Sequence, residues 1–328
     1  MIRRAGAVVL ISLVLPLVAC SGEPQARPSP SVERSGDLRW GRGPALRTPR
    51  TEVAVTAVGD RLIAAGGFTA DGEATDTVEI LTIGSDEGWV RGPDLPQPLH
   101  HAALVTSGDR VFVLGGYDAQ GAASSRMYSL EQGSWRRDPD LPTARGALAA
   151  AVVDGAIHAV GGASSFGGRS RLSVAHEVYD PDAGEWRRLD DLPEARDHLA
   201  ATAFGAHVYV VGGRKLSLTT NVARLDVYDT ERSAWSRGPD MPTARGGLAA
   251  AAADGRVFVF GGEEPDGTFE EAEVYDVRGR SWSRAPDLPT PRHGLGAAAI
   301  GARIYVVGGG PRPGLTVSGA TEILVRRG

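Results

Sequence analysis

The feature that most constrains the fold is a unit of 46 to 51 residues that occurs six times. Tryptophan stands at positions 40, 89, 135, 186, 235 and 282, and a glycine pair begins 26 residues after each of them. Positions 19 and 20 after tryptophan hold pairs such as Gly59 with Asp60 or Asp254 with Gly255, which suit the two-residue turns of β-hairpins. The chain is therefore predicted to be an array of hairpin repeats.

Each repeat predicts four short antiparallel strands. The second strand of the hairpin, such as residues 257–260, alternates apolar and mixed residues and ends at the glycine pair. A third strand follows, and the fourth carries the tryptophan and ends at a proline-rich turn. The first strand is rich in alanine, as in residues 249–253, and suits the crowded centre of a ring. We therefore predict an all-β, six-bladed β-propeller with four-stranded antiparallel blades over residues 36–328.

The two ends of the repeat array are complementary. Trp40 has no third strand of its own before it, and the last strand, residues 322–325, has no tryptophan after it. We predict that residues 36–42 supply the outer strand of blade 6. This closes the ring and removes two open sheet edges.

The repeat resembles that of the kelch family. The resemblance rests on the double glycine, the spaced tyrosine and tryptophan, and the unit length, and it extends over residues 36–328. It implies a propeller fold. For function it leaves two classes open, because kelch propellers include both binding modules and enzymes.

The N-terminus has the pattern of a targeting segment. Arg3 and Arg4 precede an uncharged stretch, residues 5–19, which is too short to span a bilayer but has the length of a signal-peptide core. It leads into Cys20, the only cysteine, through residues that resemble a bacterial lipobox.

Three expectations follow from this pattern. Residues 1–19 form a lipoprotein signal peptide, Cys20 receives lipid, and residues 20–35 form a disordered tether rich in proline and serine. The propeller would then be extracytoplasmic and attached to the bacterial cell membrane through the lipid on Cys20.

Composition excludes several functional classes. The chain carries 40 acidic and 35 basic residues and a net charge of −5, so the basic excess of a general nucleic-acid binder is missing. Copper-radical chemistry like that of galactose oxidase needs a cysteine crosslinked to tyrosine, which lipidation of Cys20 excludes. The sequence has no phosphate-binding loop and no dinucleotide fingerprint. We expect a monomer with no cofactor and no nucleic-acid partner.

Five repeats carry arginine ten residues after tryptophan, and two interpretations compete. Five arginines near a channel mouth suit an anion receptor. However, blade 2 has Leu99 instead of arginine and also lacks the acid that opens the third strand, with Arg126 and Met127 in that region. We therefore favour structural pairs within each blade. The predicted pairs are Arg50 with Glu79, Arg145 with Glu177, Arg196 with Asp226, Arg245 with Glu273 and Arg292 with Glu322.

Residues that break the repeat are the candidates for ligand binding. They lie in the connection before each first strand or near the variable loop after each glycine pair, which are expected on one face. The candidates are His100, His101, Tyr117, Arg126, Arg169, Arg171, His198, Arg214, Lys215, Glu263, Glu264 and His293. A metal site is not predicted, because no spacing of histidine with cysteine or a carboxylate along the chain supports one.

Two functions fit these features. The first is a non-catalytic module that binds a glycan or protein ligand at the channel face. The second is an enzyme resembling the kelch-fold sialic acid epimerases and acting on an anionic sugar, with Arg214, Glu263 or His198 as the candidate reactive groups. A deep mouth with an acid of raised pKa beside an unpaired arginine would favour the enzyme.

Overall fold

Each repeat folds into a four-stranded antiparallel sheet, and the computed structural model describes six such sheets over residues 38–326. Blade 1 comprises β2 (Ala54–Val58), β3 (Arg61–Ala65), β4 (Val78–Thr82) and β5 (Trp89–Arg91). Blade 2 comprises β6 (Ala103–Ser107), β7 (Arg110–Leu114), β8 (Met127–Glu131) and β9 (Ser134–Arg137). Blade 3 comprises β10 (Ala149–Val153), β11 (Ala156–Val160), β12 (His176–Asp180) and β13 (Glu185–Arg188).

The second half of the ring repeats this plan. Blade 4 comprises β14 (Ala200–Phe204), β15 (His207–Val211), β16 (Leu225–Asp229) and β17 (Ala234–Arg237). Blade 5 comprises β18 (Ala249–Ala253), β19 (Arg256–Phe260), β22 (Ala272–Asp276) and β23 (Ser281–Arg284), with a small hairpin, β20 (Glu263–Glu264) and β21 (Gly267–Thr268), in its loop. Blade 6 comprises β24 (Gly296–Ile300), β25 (Arg303–Val307), β26 (Thr321–Arg326) and β1 (Leu38–Arg42). The predicted six-bladed propeller is confirmed.

The ring closes through its N-terminal strand, as predicted. Strand β1 pairs antiparallel with β26, with Trp40 opposite Leu324. The Trp40 indole N–H also donates to the carbonyl of Pro286, 2.8 Å away in the neighbouring blade 5. Strand β26 therefore has a partner on both sides, and β1 is the outer strand of blade 6, as β5 is of blade 1.

The other tryptophans join neighbouring blades in the same way. Each indole N–H donates to the carbonyl four residues after the tryptophan of the preceding repeat, at 2.8 to 3.0 Å; the acceptors are Pro44, Pro93, Pro139, Asp190 and Pro239. Apolar residues fill the spaces between sheets, as where Tyr209 and Val211 of blade 4 pack with Val257 and Val259 of blade 5. The core therefore consists of layers between blades.

Small side chains line the central channel. The first strand of each blade faces the axis and contributes mostly alanine and threonine, such as Ala150, Ala251 and Thr106, around a space of about 280 Å³. Larger residues lie further out, where the blades diverge. The alanine-rich strands are therefore innermost, as their composition predicts.

The glycine pair lets one blade approach the next. In blade 4, Gly212 and Gly213 have φ of 61° and 103°, which residues with a side chain rarely adopt. A Cβ on Gly212 would meet the carbonyl of Arg245, and the N–H of Gly213 donates to that carbonyl at 3.0 Å. The pair therefore fixes the start of each neighbouring first strand.

Three predictions concern the N-terminus: a signal peptide over residues 1–19, lipid on Cys20 and a tether over residues 20–35. All three lie outside the described residues. Within residues 38–326 the single helical segment is a 3₁₀ turn, Leu218–Thr220, and no helix there is long and apolar enough to cross a bilayer.

Candidate functional site

The five repeating arginines lie beside the predicted acids. Each guanidinium is within 2.5 to 3.2 Å of its partner carboxylate, and both side chains are almost fully buried in every pair. Burial lowers the pKa of Arg50 to about 10, although the charge of Glu79 opposes this. None of the five arginines is free to receive an external anion.

The arginines also tie the start of the first strand to the glycine pair. Arg245 donates to the carbonyls of Gly261 and Glu271 as well as to the Glu273 carboxylate. A buried charge that is both paired and hydrogen-bonded can be retained in the core, whereas an unpaired one cannot. These arginine and acidic side chains therefore stabilise the blade to which they belong.

The alignment of blade 2 needs a correction. We expected Arg126 and Met127 where other blades have the acid, but the strand register places Tyr128 there, since it pairs with Val113 two residues before the glycine pair. Tyr128 and Leu99 share one apolar cluster. Blade 2 has therefore exchanged the ion pair for an apolar pair.

The inner connections and the loops after the glycine pairs meet on one face of the ring. Residues 11 and 28 positions after each tryptophan form an antiparallel bridge, as in His100 with Tyr117 and Asp197 with Arg214. This brings the variable loop of each blade over the channel mouth.

Position 12 after tryptophan forms a closed circle around the mouth, which we call the mouth ring. Its members are Glu52, His101, Ala147, His198, Gly247 and Gly294. From His101 onwards the N–H of each member donates to the carbonyl of the member before it, at 2.9 to 3.3 Å, and the N–H of Val53 closes the circle on Gly294. Side chains from this ring lie where six blades converge.

All six members have a left-handed backbone. Their φ values run from 49° to 70°, a region that favours glycine. Blades 5 and 6 use glycine, but Glu52, His101 and His198 place large side chains there. Such strain costs about 1–3 kcal/mol per residue and clusters at functional sites. The mouth ring is therefore a candidate site on backbone grounds alone.

A chain of polar contacts crosses blades 4 and 5. The Asp197 carboxylate accepts from Nδ1 of His198 at 2.8 Å, and Nε2 of His198 accepts from Nη2 of Arg214 at 2.8 Å. Nη1 of Arg214 donates to Oε1 of Glu263 at 2.7 Å. His198 is thus a neutral imidazole that donates to the Asp197 carboxylate and accepts from the Arg214 guanidinium.

The same chain continues into blades 6, 1 and 2. Nε2 of His293 lies 3.6 Å from Oε2 of Glu263 and 3.8 Å from Oε1 of Glu52. Oε2 of Glu52 lies 3.2 Å from Nε2 of His101, whose Nδ1 lies 2.7 Å from Nδ1 of His100. Ionisable groups from five blades therefore form one connected network.

Burial sets the charges of this network. Burial and the nearby Glu263 carboxylate raise the pKa of Glu52 to about 8. Burial lowers the pKa of His101 well below its ordinary value, and it lowers the pKa of His198 and His293 as well. Burial opposes ionisation of Glu263, but the charge of the Arg214 guanidinium and the hydrogen bond that it donates help to hold the pKa of Glu263 below the ordinary value. At neutral pH the imidazoles are uncharged and Glu52 is mostly protonated.

Above the network is a cavity of about 210 Å³ to which all six blades contribute. Its polar floor includes Glu52, His101 and Glu263, and its walls include Phe68, Phe166 and Leu315. Phe166 is 45% exposed at the lip. The cavity therefore offers apolar contacts at its entrance and hydrogen bonds at its base.

Comparison with known proteins identifies the family. The KLHDC2/KLHL20/DRC7 kelch-repeats domain matches residues 52–237 and 140–309. The chain belongs to the kelch-repeat family. Among curated proteins, an F-box/kelch-repeat protein of Arabidopsis thaliana is 40% identical over 93 residues, which are 28% of this chain and 24% of that protein.

Two further relatives show the same partial coverage. Human Kelch-like protein 34 is 33% identical over 182 residues, 54% of this chain and 27% of its own length. Alpha-scruin of Limulus polyphemus is 32% identical over 94 residues, 29% of this chain and 10% of its own length. The kelch match thus spans only a minor part of these longer relatives.

The kelch propeller brings only some of the predicted ligand-binding residues to the mouth. His101, Arg214, Glu263 and His293 line the cavity, and His198 lies in the mouth ring beneath it. His100 and Tyr117 are buried directly behind these residues; the Tyr117 hydroxyl donates to the carbonyl of Ala163.

The other candidates lie away from the cavity. Arg126 pairs with Asp140, and Lys215 pairs with Glu194. Arg169, Arg171 and Glu264 are exposed to solvent. They belong to the outer surface of the loops.

Sequence reasoning missed Glu52 and Asp197. Both could have been found by aligning the repeats on tryptophan, because Glu52 falls at position 12 with His101 and His198, and Asp197 falls at position 11 with His100 and His293. Glu52 stands beside the repeating Arg50, which draws attention away from it.

Proposed function

We propose that this kelch propeller is a lipid-anchored, extracytoplasmic recognition module that binds a glycan or protein ligand at the mouth of its channel. One observation carries the proposal: polar side chains that break the repeat converge from different blades on a single cavity. Membership of the kelch family is consistent with this proposal, since kelch propellers commonly mediate protein interactions.

The size of the cavity indicates how a ligand is bound. At about 210 Å³ it is smaller than the roughly 300–1,000 Å³ of pockets that enclose a whole small molecule. It suits one sugar ring or one protruding side chain. Phe68 and Phe166 would pack against the apolar face of that unit, while the floor supplies hydrogen bonds.

The charge of the site favours a neutral or cationic group. The charge of Arg214 is balanced by Glu263, 2.7 Å away, and the five repeating arginines are buried in pairs. An anionic ligand would face Glu263 without a free counter-charge among the residues that line the cavity. We therefore propose uncharged sugar units or basic side chains as the recognised groups.

Binding is tested with the soluble form that lacks residues 1–20, which retains the whole closed ring. It is screened against arrays of glycans, cell-wall fragments and peptides. Phe166→Ala should weaken binding of any ligand found at least roughly tenfold, because an aromatic contact at the lip is lost. Phe204→Ala is the matched control, since Phe204 is 41% exposed at the opposite end of a blade. If the two variants lose binding affinity equally, or if neither loses any, the ligand does not bind at the mouth.

The anchor is tested separately. Cys20→Ser should abolish labelling by a radioactive fatty acid and release the processed or unprocessed chain from lipid attachment. Persistent lipid label on the Cys20→Ser protein would show that Cys20 is not the anchoring residue.

An enzyme is the second candidate, and the raised pKa of Glu52 favours it. A carboxylic acid that is protonated near neutral pH can move a proton in an epimerase-like reaction. Such an enzyme also needs an arginine to hold the carboxylate of its anionic sugar, and Arg214 already donates to Glu263 and His198. The test is to measure by NMR the rate at which sialic acid anomers exchange, with and without the protein. If the protein accelerates this exchange and Glu52→Gln abolishes the acceleration, the enzyme replaces the recognition module as the proposed function.

A further inference from the structure

We propose that the mouth ring binds a divalent transition-metal ion of the zinc class, with Glu52, His101 and His198 as its protein ligands. The inference goes beyond the recognition role and does not depend on it, because it concerns the floor of the cavity and is tested with metal alone.

The distances between these three side chains fit a metal ion. One imidazole nitrogen from each histidine and one carboxylate oxygen of Glu52 all lie within 4.8 Å of one another. Zinc ligands about 2.0–2.2 Å from a tetrahedral ion lie about 3.3–3.6 Å apart. Nε2 of His101 and Oε2 of Glu52 are already 3.2 Å apart. Small rotations of the side chains would complete the geometry.

The surroundings orient the histidines as metal ligands require. Nδ1 of His198 donates to Asp197, so Nε2 carries the lone pair that faces the ring. Nδ1 of His101 is engaged by His100, which leaves its Nε2 toward Glu52. An imidazole whose other nitrogen is held by a carboxylate or similar partner is the usual arrangement around zinc. Glu52 must lose its carboxyl proton to act as a ligand, so metal binding releases that proton to solvent.

Two more groups extend the donor set. Glu263 and His293 form a second cluster with Glu52, and their ligand atoms also lie within 4.8 Å of one another. Glu52 is therefore shared between two sets of donors. Three protein ligands leave a coordination position open toward the cavity, where water or a ligand atom would bind.

Arg214 holds the place of the cation when no metal is bound. Its guanidinium donates to Nε2 of His198, the same lone pair that a metal would take, and to Oε1 of Glu263. A metal must displace the first of these hydrogen bonds, while the second can remain. Metal and arginine therefore compete for His198, and removing the arginine should strengthen metal binding.

The strained backbone adds independent support. Glu52, His101 and His198 all keep left-handed φ at positions where blades 5 and 6 have glycine. Four ring residues other than glycine carry this strain, and three of them, Glu52, His101 and His198, form the donor set; the fourth is Ala147. A purely structural ring would be served better by glycine.

The experiment uses tag-free protein lacking residues 1–20, dialysed against zinc and analysed for bound metal, with cobalt absorption as a second readout. We expect one ion per chain. Glu52→Gly and His198→Ala should each weaken binding by at least roughly 100-fold, because losing a ligand costs more than losing a residue that only orients one, which costs roughly 10–100-fold. Glu52→Gly keeps the fold, because it places glycine at a left-handed position. Arg214→Met should bind zinc roughly tenfold more tightly.

His207→Ala is the control, since His207 lies 3.7 Å from Asp229 at the opposite face. It should leave zinc binding unchanged. The proposal is overturned if the unaltered protein binds no zinc, if Glu52→Gly binds as well as the unaltered protein, or if Arg214→Met weakens binding. The ligand screen is then repeated in the presence of a metal chelator, which separates the two proposals. If the protein binds no zinc but still binds a ligand at the mouth, the recognition proposal stands without the metal site.

Discussion

Two sets of charged residues lie only two positions apart in the repeat, yet they are built in opposite ways. The arginines at position 10 recur in five blades, and each is paired with an acid of its own blade. The mouth ring at position 12 differs from blade to blade, and its Glu52 and His101 contact each other across a blade boundary. Charges that recur and are satisfied locally hold a blade together. Ionisable groups that do not recur, and that also contact one another across blade boundaries, are available for binding.

Breaking a recurring pair should have the largest effect. Arg245→Ala leaves the buried Glu273 without a counter-charge, with only the Thr243 hydroxyl donating to it, and should lower the free energy of unfolding by about 3–5 kcal/mol in urea denaturation. The double variant Arg245→Leu with Glu273→Tyr, which copies Leu99 and Tyr128 of blade 2, should recover most of the loss. A loss below about 1 kcal/mol would show that the pairs contribute little.

A second test separates structural histidines from those of the mouth. His158 and His176 are buried together in blade 3, with Nδ1 of His158 2.9 Å from Nε2 of His176. Burial lowers the pKa of His158 to about 4 and that of His176 to about 3.

The unfolded chain therefore takes up protons below about pH 6.5, while the folded pair stays neutral until about pH 4. The contribution of this pair to stability is complete above about pH 6.5 and should fall steadily as the pH drops to about 4, because the unfolded chain binds protons that the folded pair does not. His158→Phe with His176→Met, the residues of blade 2, should flatten this part of the unfolding profile. If the unfolding profile of this double variant is unchanged, the pH dependence comes from groups other than His158 and His176.

A smaller effect of opposite sign is expected in the mouth ring. Glu52→Gly relieves a strained backbone and removes a buried acid, so it should raise the free energy of unfolding by about 1 kcal/mol while ligand or metal binding is lost. Ala147→Gly is matched to it, because Ala147 has the same left-handed φ and no polar group. This variant should stabilise the protein similarly and leave binding intact. Destabilisation by both would contradict the interpretation of the ring as strained.

The smallest effect tests whether recurrence alone implies stability. Four blades carry an exposed pair between arginine and an aspartate three residues later: Arg91 with Asp94, Arg137 with Asp140, Arg188 with Asp191 and Arg237 with Asp240. Arg91→Ala should change the melting temperature hardly at all, since exposed pairs contribute about 0–1 kcal/mol. A loss as large as that of Arg245→Ala would mean that repetition, and not burial, marks the stabilising pairs.

Most of the fold could be predicted from the sequence. The constant spacing from Trp40 to the glycine pair, repeated six times, specifies hairpins in one register, and the unpaired ends specify closure. Blade 2 shows the limit of spacing alone. Only the strand register reveals that Tyr128, and not Met127, stands opposite Val113.

The candidate site could be predicted only in part. The sequence drew attention to His101, His198 and Arg214 because they break the repeat. It gave equal weight to Glu263 and Glu264, although the structure buries the first and exposes the second. Neighbours in a strand point to opposite sides, and the phase of that alternation after a glycine pair is set by the turn.

The sequence by itself determined the blades, their number, the closing strand and the pairing of each buried arginine, because these depend on hydrogen bonds and contacts within one repeat or with its neighbour. Tertiary structure decided the mouth. Thr51 and the carbonyl of His293 meet across 242 residues of chain, and Glu52 gains its raised pKa only where six blades together exclude water. A site on the axis of a ring is created by closure, which no single repeat contains.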